Sequence, residues 1–187
     1  MTMTKAAVLM IEGYEESETI QIVDLLRRAD IETHTFRFQE DPFVLSMQGM
    51  YIKADKVFSD EVKDYDVIIV PGGRTAWQRF IDNEDVMNTL KWFNENNKLI
   101  AGMCSGTKVL EAAGVLAGKT VTGYTGYADV LKSAGKFVED VAVYDQNVIT
   151  SQGPATPYPF AFRIIEVLGK DPAPIKERLL YALAGGK

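Results

Sequence analysis

The fold of this chain is decided at residues 99–107, which read LIAGMCSGT. The first five are apolar or small and carry no charge, which predicts a buried strand. A helix is predicted to follow over residues 108–116, because apolar side chains recur there with helical spacing at Val109, Leu110, Ala113 and Leu116. The stretch therefore predicts a strand that turns sharply into a helix, with the only cysteine of the chain at the corner.

The pentad Gly102-Met-Cys104-Ser-Gly106 has the form glycine, any residue, nucleophile, any residue, glycine. Small neighbours allow a tight strand-to-helix turn that exposes the central side chain. Free N–H groups and the positive end of the helix dipole favour a thiolate there. From the placement of Cys104 and Glu18 we expect the thiol to titrate well below its usual ~8.5. Cys104 is a candidate nucleophile; the alternative is that it is a small buried apolar residue.

The composition is that of an ordinary globular protein, with 47% hydrophobic and 25% charged residues. A single domain is expected over residues 1–187. The net charge of −6 argues against nucleic acid and against anionic membrane surfaces as partners. No signal peptide, no apolar run of about 20 residues and no possible internal disulfide are found, so we expect a cytoplasmic protein.

Continuous apolar strands alternate with helical patterns, which predicts an α/β fold whose parallel sheet is covered by helices on both faces. The main strands are predicted at residues 6–11, 31–38, 66–70 and 99–103, with two more between 138 and 150 and a short one at 121–123. Helices are predicted up to Arg28 and over about 75–82, 84–96, 157–168 and 175–183, and a short hairpin near 45–52.

Three chemical signals follow the carboxyl ends of strands, where open α/β sheets place their sites. Glu18 lies on the apolar stripe of the first helix with Ile22 and Leu25, whereas Glu16 is expected on the wet side. The Gly72-Gly73 pair leaves backbone N–H groups free to approach a ligand, and Cys104 follows the next strand. The alternatives are a capping or ion-paired Glu18 and a simple glycine turn.

His34, the only histidine, falls in the middle of the second strand and is expected to be structural or exposed rather than catalytic. One histidine and one cysteine that are far apart in sequence suggest no metal site.

Four motifs together resemble the ThiJ/PfpI superfamily, and within it the branch of the Parkinson-associated deglycase. They are GYEESET at 13–19, DVIIVPGG at 66–73, CSG at 104–106 and TSQGP at 150–154. The resemblance implies a flavodoxin-like open sheet, a homodimer and no cofactor. It also implies that a protonated Glu18 hydrogen-bonds the Cys104 thiolate, and that the N–H groups of Gly73 and Ser105 form an oxyanion hole.

Further positions follow from the same resemblance. Gly72, Tyr124, Gly153 and Pro154 would surround the pocket, and Arg28 would lie near the dimer contact. Catalytic relatives commonly carry a histidine where this chain has Tyr124, so a Cys–His proton shuttle is absent here. Tyrosine, with a usual pKa near ~10, is a poor base at neutral pH but can donate a hydrogen bond.

Three functions are compatible with these residues. The first is an enzyme in which Cys104 adds to a 2-oxoaldehyde and Glu18 moves the proton; hydration of an isocyanide is a variant, disfavoured by glutamate in place of that branch's aspartate. The second is a redox sensor or stress protein whose Cys104 oxidises to a sulfinate. The third is a binding or chaperone-like dimer in which Cys104 has lost its role.

Overall fold

A computed structural model describes residues 3–186 of the chain. Its main sheet has seven strands in the order β10-β11-β7-β6-β1-β2-β5, and two short two-stranded sheets lie beside it. The strands are β1 Lys5–Leu9, β2 Glu32–Arg37, β3 Phe43–Leu45, β4 Tyr51–Lys53, β5 Lys56–Val57, β6 Val67–Val70, β7 Leu99–Met103, β8 Thr120–Val121, β9 Lys136–Phe137, β10 Ala142–Asp145 and β11 Val148–Ser151.

Six α-helices connect or flank these strands. They are α1 Glu16–Arg28, α2 Ala76–Ile81, α3 Glu84–Glu95, α4 Gly106–Ala112, α5 Pro157–Val167 and α6 Ala173–Arg178. Single 3₁₀ turns occupy Asp60–Asp64, Tyr127–Asp129 and Tyr181–Ala184. Among residues 3–186, none of these helices combines the length and apolar character that crossing a membrane requires.

All neighbouring strands of the main sheet run parallel except the edge strand β10, which pairs antiparallel with β11. The predicted open, mostly parallel α/β sheet is therefore confirmed. Both faces of its central strands are buried, since parallel strands joined by helical crossovers are covered on either side.

Two apolar cores lie on opposite faces of the sheet. Alternate strand residues such as Ala7 and Leu9 face one core, which also contains side chains of α2, α3 and α4. Ala6 and Val8 face the other core, which contains side chains of α1 and α5. The carboxyl edge of the sheet thus lies between two helical layers that come from different parts of the chain.

The predicted hairpin near residues 45–52 is formed by β3 and β4. The single closing helix predicted over 175–183 is wrong, because α6 ends at Arg178 and a separate 3₁₀ turn follows. Leu180, at φ +54°, breaks the helix. This break allows the Tyr181 ring to pack against Phe162 of α5, with ring centroids 5.1 Å apart. A tertiary contact thus overrides the local apolar spacing.

Candidate active site

Cys104 lies at a strained turn between β7 and α4. Its φ is +52°, a left-handed backbone conformation that residues other than glycine rarely adopt. The Cys104 N–H donates to Ser151 O at 3.1 Å, and its carbonyl accepts from the Thr107 hydroxyl at 2.7 Å. Gly106 is required because a Cβ there would lie 2.3 Å from the Val70 carbonyl oxygen. These contacts hold a half-buried thiol at the tip of the turn.

Glu18 is a fully buried carboxyl in the first turn of α1. Its Oε2 accepts the Gly72 N–H at 2.7 Å, whereas Oε1 has no hydrogen-bond partner among the described residues. Helix capping is performed by Glu15 instead, whose side chain accepts the Glu18 N–H at 2.7 Å. The capping alternative for Glu18 is therefore wrong, and one of its buried carboxyl oxygens has no partner among the described residues.

Gly72 brings the two candidate groups together. A Cβ on this residue would lie 2.7 Å from Glu18 Oε2 and 3.0 Å from Cys104 Sγ. Both reactive atoms therefore border the same small volume, which stays open because residue 72 has no side chain. The three sequence signals after β1, β6 and β7 do converge at one edge of the sheet.

Burial dominates the ionisation of this pair. It raises the pKa of Glu18 to about 7, because the carboxylate has lost its water and the charge of Glu15 is near. Burial and the charge of an ionised Glu18 raise the pKa of the Cys104 thiol to about 12, although the Ser105 N–H opposes this. The expectation that the placement of Glu18 and Cys104 lowers the pKa of the thiol is therefore wrong, because burial and the charge of Glu18 outweigh the helix terminus. Protonation of Glu18 removes the charge that opposes the thiolate, so the two groups titrate as a coupled pair.

The proposed oxyanion donors, Gly73 and Ser105, are also adjacent, but they differ in availability. The Gly73 N–H donates to Ser105 Oγ at 2.9 Å, and Ser105 Oγ lies 3.0 Å from the Gly73 carbonyl oxygen. The Ser105 N–H is directed at the Cys104 sulfur and favours its negative charge. The Ser105 N–H is thus the donor beside the Cys104 sulfur, whereas the Gly73 N–H would first have to break its hydrogen bond to Ser105 Oγ.

The rim of the site is aromatic. Tyr124 is 46% exposed, and its ring lies over Gly153, where a Cβ would be 3.2 Å from Tyr124 Cδ2. Pro154 is exposed beside Gly153. Tyr127 packs edge-on to Tyr124 with ring centroids 5.7 Å apart. Burial, followed by the nearby charges of Cys104, Tyr124 and Glu18, raises the pKa of Tyr127 to about 12.

Sequence reasoning gave Tyr127 no role and did not consider Lys108 as part of the site. Lys108 lies in the first turn of α4, four residues after Cys104, and its ammonium group contacts the Tyr127 ring. Its spacing from the cysteine along one helix was the signal that could have identified it.

Three other predicted residues lie elsewhere. His34 hydrogen-bonds the Tyr65 hydroxyl at 2.8 Å within the sheet, as expected of a structural histidine. Arg28 is exposed on α1 and pairs with Asp24 at 2.7 Å. The prediction that Glu16 is on the wet side is wrong, since it is 7% exposed. Its Oε1 accepts the Gln48 N–H at 3.1 Å, because the loop between β3 and β4 covers it.

Among residues 3–186, no three histidine, cysteine or acidic side chains cluster in a way that could hold a metal ion. The chemistry that these residues themselves offer is a nucleophile, a proton-transfer group and a backbone donor: Cys104, Glu18 and Ser105.

Comparison with known proteins extends this picture. Residues 4–167 match the DJ-1/PfpI family. The Parkinson disease protein 7 homolog of Danio rerio is 34% identical over 168 residues, which cover 88% of this chain and 89% of that protein. The Glutathione-independent glyoxalase DJR-1.2 of Caenorhabditis elegans is 30% identical over 171 residues, which cover 90% and 91% of the two chains. The solved structure of oxidized Toxoplasma gondii DJ-1 has a TM-score of 0.90 and 32% identity, and covers 96% of this chain and 99% of that one.

Proposed function

This chain belongs to the DJ-1/PfpI family, and from that premise and the site geometry we propose a glyoxalase- or deglycase-type enzyme that detoxifies small reactive carbonyl compounds without a cofactor. The observation that carries the proposal is the convergence of the Cys104 sulfur and the Glu18 carboxyl at Gly72, with one buried carboxyl oxygen unpartnered. A nematode relative that is named a glutathione-independent glyoxalase supports the reaction class.

In the first step the Glu18 carboxylate takes the proton of the Cys104 thiol, and the thiolate formed attacks the aldehyde carbon of a 2-oxoaldehyde. A sulfur–carbon bond forms, and the π electron pair of the carbonyl moves to its oxygen. The Ser105 N–H stabilises that oxyanion, and the Glu18 carboxylic acid delivers its proton to give a hemithioacetal.

In the second step the Glu18 carboxylate removes the proton from the former aldehyde carbon. The electron pair moves through the carbon–carbon bond to the ketone oxygen and gives an enediolate, in which the hydroxyl proton passes from the first oxygen to the second. Glu18 then returns its proton to the former ketone carbon, the first oxygen re-forms a carbonyl, and a thioester results. Water then hydrolyses the thioester, releasing a 2-hydroxy acid and the free thiol. The aldehyde carbon is oxidised while the ketone carbon is reduced, so the reaction needs no outside oxidant.

Glu18 carries the proton transfers between the protein and the substrate in this scheme. Its pKa near 7 suits both giving and taking a proton at neutral pH, since burial has raised it into that range. Tyr124 occupies the family's histidine position at the rim, where it is half exposed and stacked over Gly153 rather than buried beside the pair. It contributes contact and a hydroxyl group, and no base is needed from it.

The deciding experiment is methylglyoxal consumption by the unmodified protein, Cys104→Ser, Glu18→Gln and His34→Gln. We expect Cys104→Ser to abolish turnover and Glu18→Gln to lower kcat by about 10²–10⁴. His34→Gln is the matched control, and it should leave turnover unchanged because His34 lies within the sheet. Turnover that survives in Cys104→Ser would refute the proposed nucleophile.

The second candidate is a redox sensor in the reducing cytoplasm, and the unpartnered Glu18 oxygen favours it as well. A lone cysteine has no partner for a disulfide, so mild peroxide would take Cys104 through sulfenic to sulfinic acid, with a protonated Glu18 bonding the new oxygens. Mass spectrometry of intact protein should then show two added oxygens on Cys104. Absence of turnover together with this selective oxidation would favour the sensor.

We also propose a homodimer formed through α1 and the β3–β4 hairpin. Ile20 is 44% exposed and shares one face of α1 with Asp24 and Arg28, at intervals of four residues. Met50 and Tyr51 of the hairpin are 50% and 68% exposed. Sedimentation should give a dimer that Tyr51→Glu weakens, whereas Val141→Glu, at an exposed position beside β10, should not.

A further inference from the structure

Lys108 is held between two aromatic rings at the edge of the site. Its Nζ lies 4.4 Å from the ring centroid of Trp77 on α2 and 4.6 Å from that of Tyr127 in the loop after β8. Contacts this short on two sides fix the ammonium group by cation–π attraction, despite the flexible stem of lysine. Lysine is therefore a fixed positive charge here.

This charge lies on the opposite side of the site from the carboxyl groups. Glu18 and its neighbour Glu15 belong to α1, on one face of the sheet. Lys108 belongs to α4 and Trp77 to α2, on the other face. Cys104 comes between the two layers, at the turn that leads into α4. A bound molecule that reaches Cys104 therefore meets carboxyl groups on one side and an ammonium group on the other.

No acidic side chain neutralises that ammonium group. Within residues 3–186, Lys108 makes no salt bridge, whereas Lys5, Lys56 and Lys63 each pair with a carboxylate. Arg74, which directly follows Gly73, is exposed and is likewise without a salt bridge among the described residues. An ammonium group that is held one helical turn after the nucleophile, with no carboxylate paired to it, can attract the anionic part of a bound molecule.

We propose that Lys108 is a specificity residue that binds the anionic end of the substrate, so that the site prefers 2-oxoaldehydes bearing a carboxylate over neutral ones. The substrate class rests on the proposed function, but the charge preference at Cys104 does not. A carboxylate placed toward α4 gains the attraction of Lys108, and it avoids the repulsion of Glu15 and Glu18. The orientation also leaves the aldehyde carbon toward Cys104 and Glu18.

The first test compares alkylation of Cys104 by iodoacetate and by iodoacetamide, which have similar shapes but differ by one negative charge. In both reactions the sulfur–carbon bond forms as iodide leaves with the bonding electron pair. Both reagents require the thiolate, so the ratio of their rates cancels any change in thiolate fraction. We expect Lys108→Met to lower the ratio of iodoacetate to iodoacetamide rates by about fivefold, since it removes one nearby unit charge.

Two further variants separate charge from structure. Lys108→Arg keeps the charge over the rings and should retain the ratio. Lys63→Gln is the matched control, because Lys63 also lies over an indole ring, that of Trp92, but belongs to the distant 3₁₀ turn before β6. It should leave the ratio unchanged. An equal change of both rates in Lys108→Met, with the ratio preserved, would show a structural lysine and overturn the proposal.

The second test compares kcat/KM for methylglyoxal, which is neutral, and dioxovalerate, a 2-oxoaldehyde with a terminal carboxylate. We expect Lys108→Met to lower kcat/KM for dioxovalerate several-fold, mainly through KM, and to spare methylglyoxal. Equal losses for both substrates would overturn the preference. A failure of turnover with either substrate, alongside a lowered alkylation ratio, would refute the proposed function while the anion preference at Cys104 stands.

Discussion

Two buried polar clusters lie at opposite edges of the same sheet, and they differ in how fully their polar groups are hydrogen-bonded. At the amino edge, Lys119 is 5% exposed, and its Nζ donates to Val115 O at 2.8 Å and to Asn94 Oδ1 at 3.3 Å. Asn147 donates to the same Asn94 oxygen and to Lys98 O. At the carboxyl edge, Glu18 leaves one buried oxygen unpartnered beside a cysteine in a strained conformation.

The two clusters differ in whether their buried polar atoms have hydrogen-bond partners. Three buried side-chain atoms among residues 3–186 lack a partner, namely Tyr14 Oη, Glu18 Oε1 and Thr122 Oγ1, and all three follow the carboxyl ends of strands. Unpaired buried groups cost free energy, so a protein keeps them where chemistry requires them. The amino-edge cluster has its polar groups paired, whereas the carboxyl-edge groups keep unpaired oxygens at a cost in stability.

The largest effect expected from this comparison is a pH dependence of stability caused by Glu18. Burial raises its pKa from 4.5 to about 7, so between these values the folded protein retains a proton that the unfolded chain has released. Folding stability should therefore fall as pH rises through this window, by roughly 3 kcal/mol. Urea unfolding of the unmodified protein and Glu18→Gln at several pH values measures it. A slope that is the same in both proteins would contradict the assignment.

A substitution in the amino-edge cluster should change the free energy of unfolding and leave the reactivity of Cys104 unchanged. Lys119→Met keeps the apolar stem but leaves Val115 O and Asn94 Oδ1 without their donor, which should cost about 2 kcal/mol of unfolding free energy. Cys104 alkylation and turnover should stay unchanged. The matched control is Lys132→Met at an exposed position, for which no stability change is expected. A loss of activity in folded Lys119→Met would contradict the prediction that the amino-edge cluster affects only stability.

The smallest effect concerns backbone strain at Cys104. With φ at +52°, a residue that has a Cβ is disfavoured, and glycine is not. Cys104→Gly should therefore be more stable than Cys104→Ala by about 1 kcal/mol, although both lack the thiol. Thermal unfolding of the two variants side by side gives this difference. If alanine is the more stable of the two, the turn stores no strain.

Much of the site could be read from sequence because its parts obey strong local rules. The pentad around Cys104 predicts a tight turn, and an acidic residue on the apolar stripe of a helix predicts a buried carboxyl. Glu16 shows the limit of such rules. Its angular position on α1 predicts solvent exposure, but the β3–β4 hairpin, which lies more than thirty residues further along the chain, covers it.

The pKa of the Cys104 thiol could also not be predicted from local sequence. The helix terminus at Cys104 predicts an acidic thiol, but burial and a neighbouring carboxyl from α1 outweigh it. The availability of the Gly73 N–H was equally hidden, because its acceptor, Ser105 Oγ, lies in another loop. Both results depend on groups that are distant in sequence.

The sequence by itself determined the α/β class, the order of most elements and the pair formed by Cys104 and Glu18. Apolar periodicity and turn chemistry act over a few residues, and strands of a parallel sheet must end at a common edge. Only the tertiary structure decided which polar groups are satisfied, how burial shifts the pKa values of the pair, and that Trp77 and Tyr127 hold Lys108 one turn of α4 after Cys104. Those properties depend on desolvation and on contacts between elements from separate parts of the chain, which no local pattern contains.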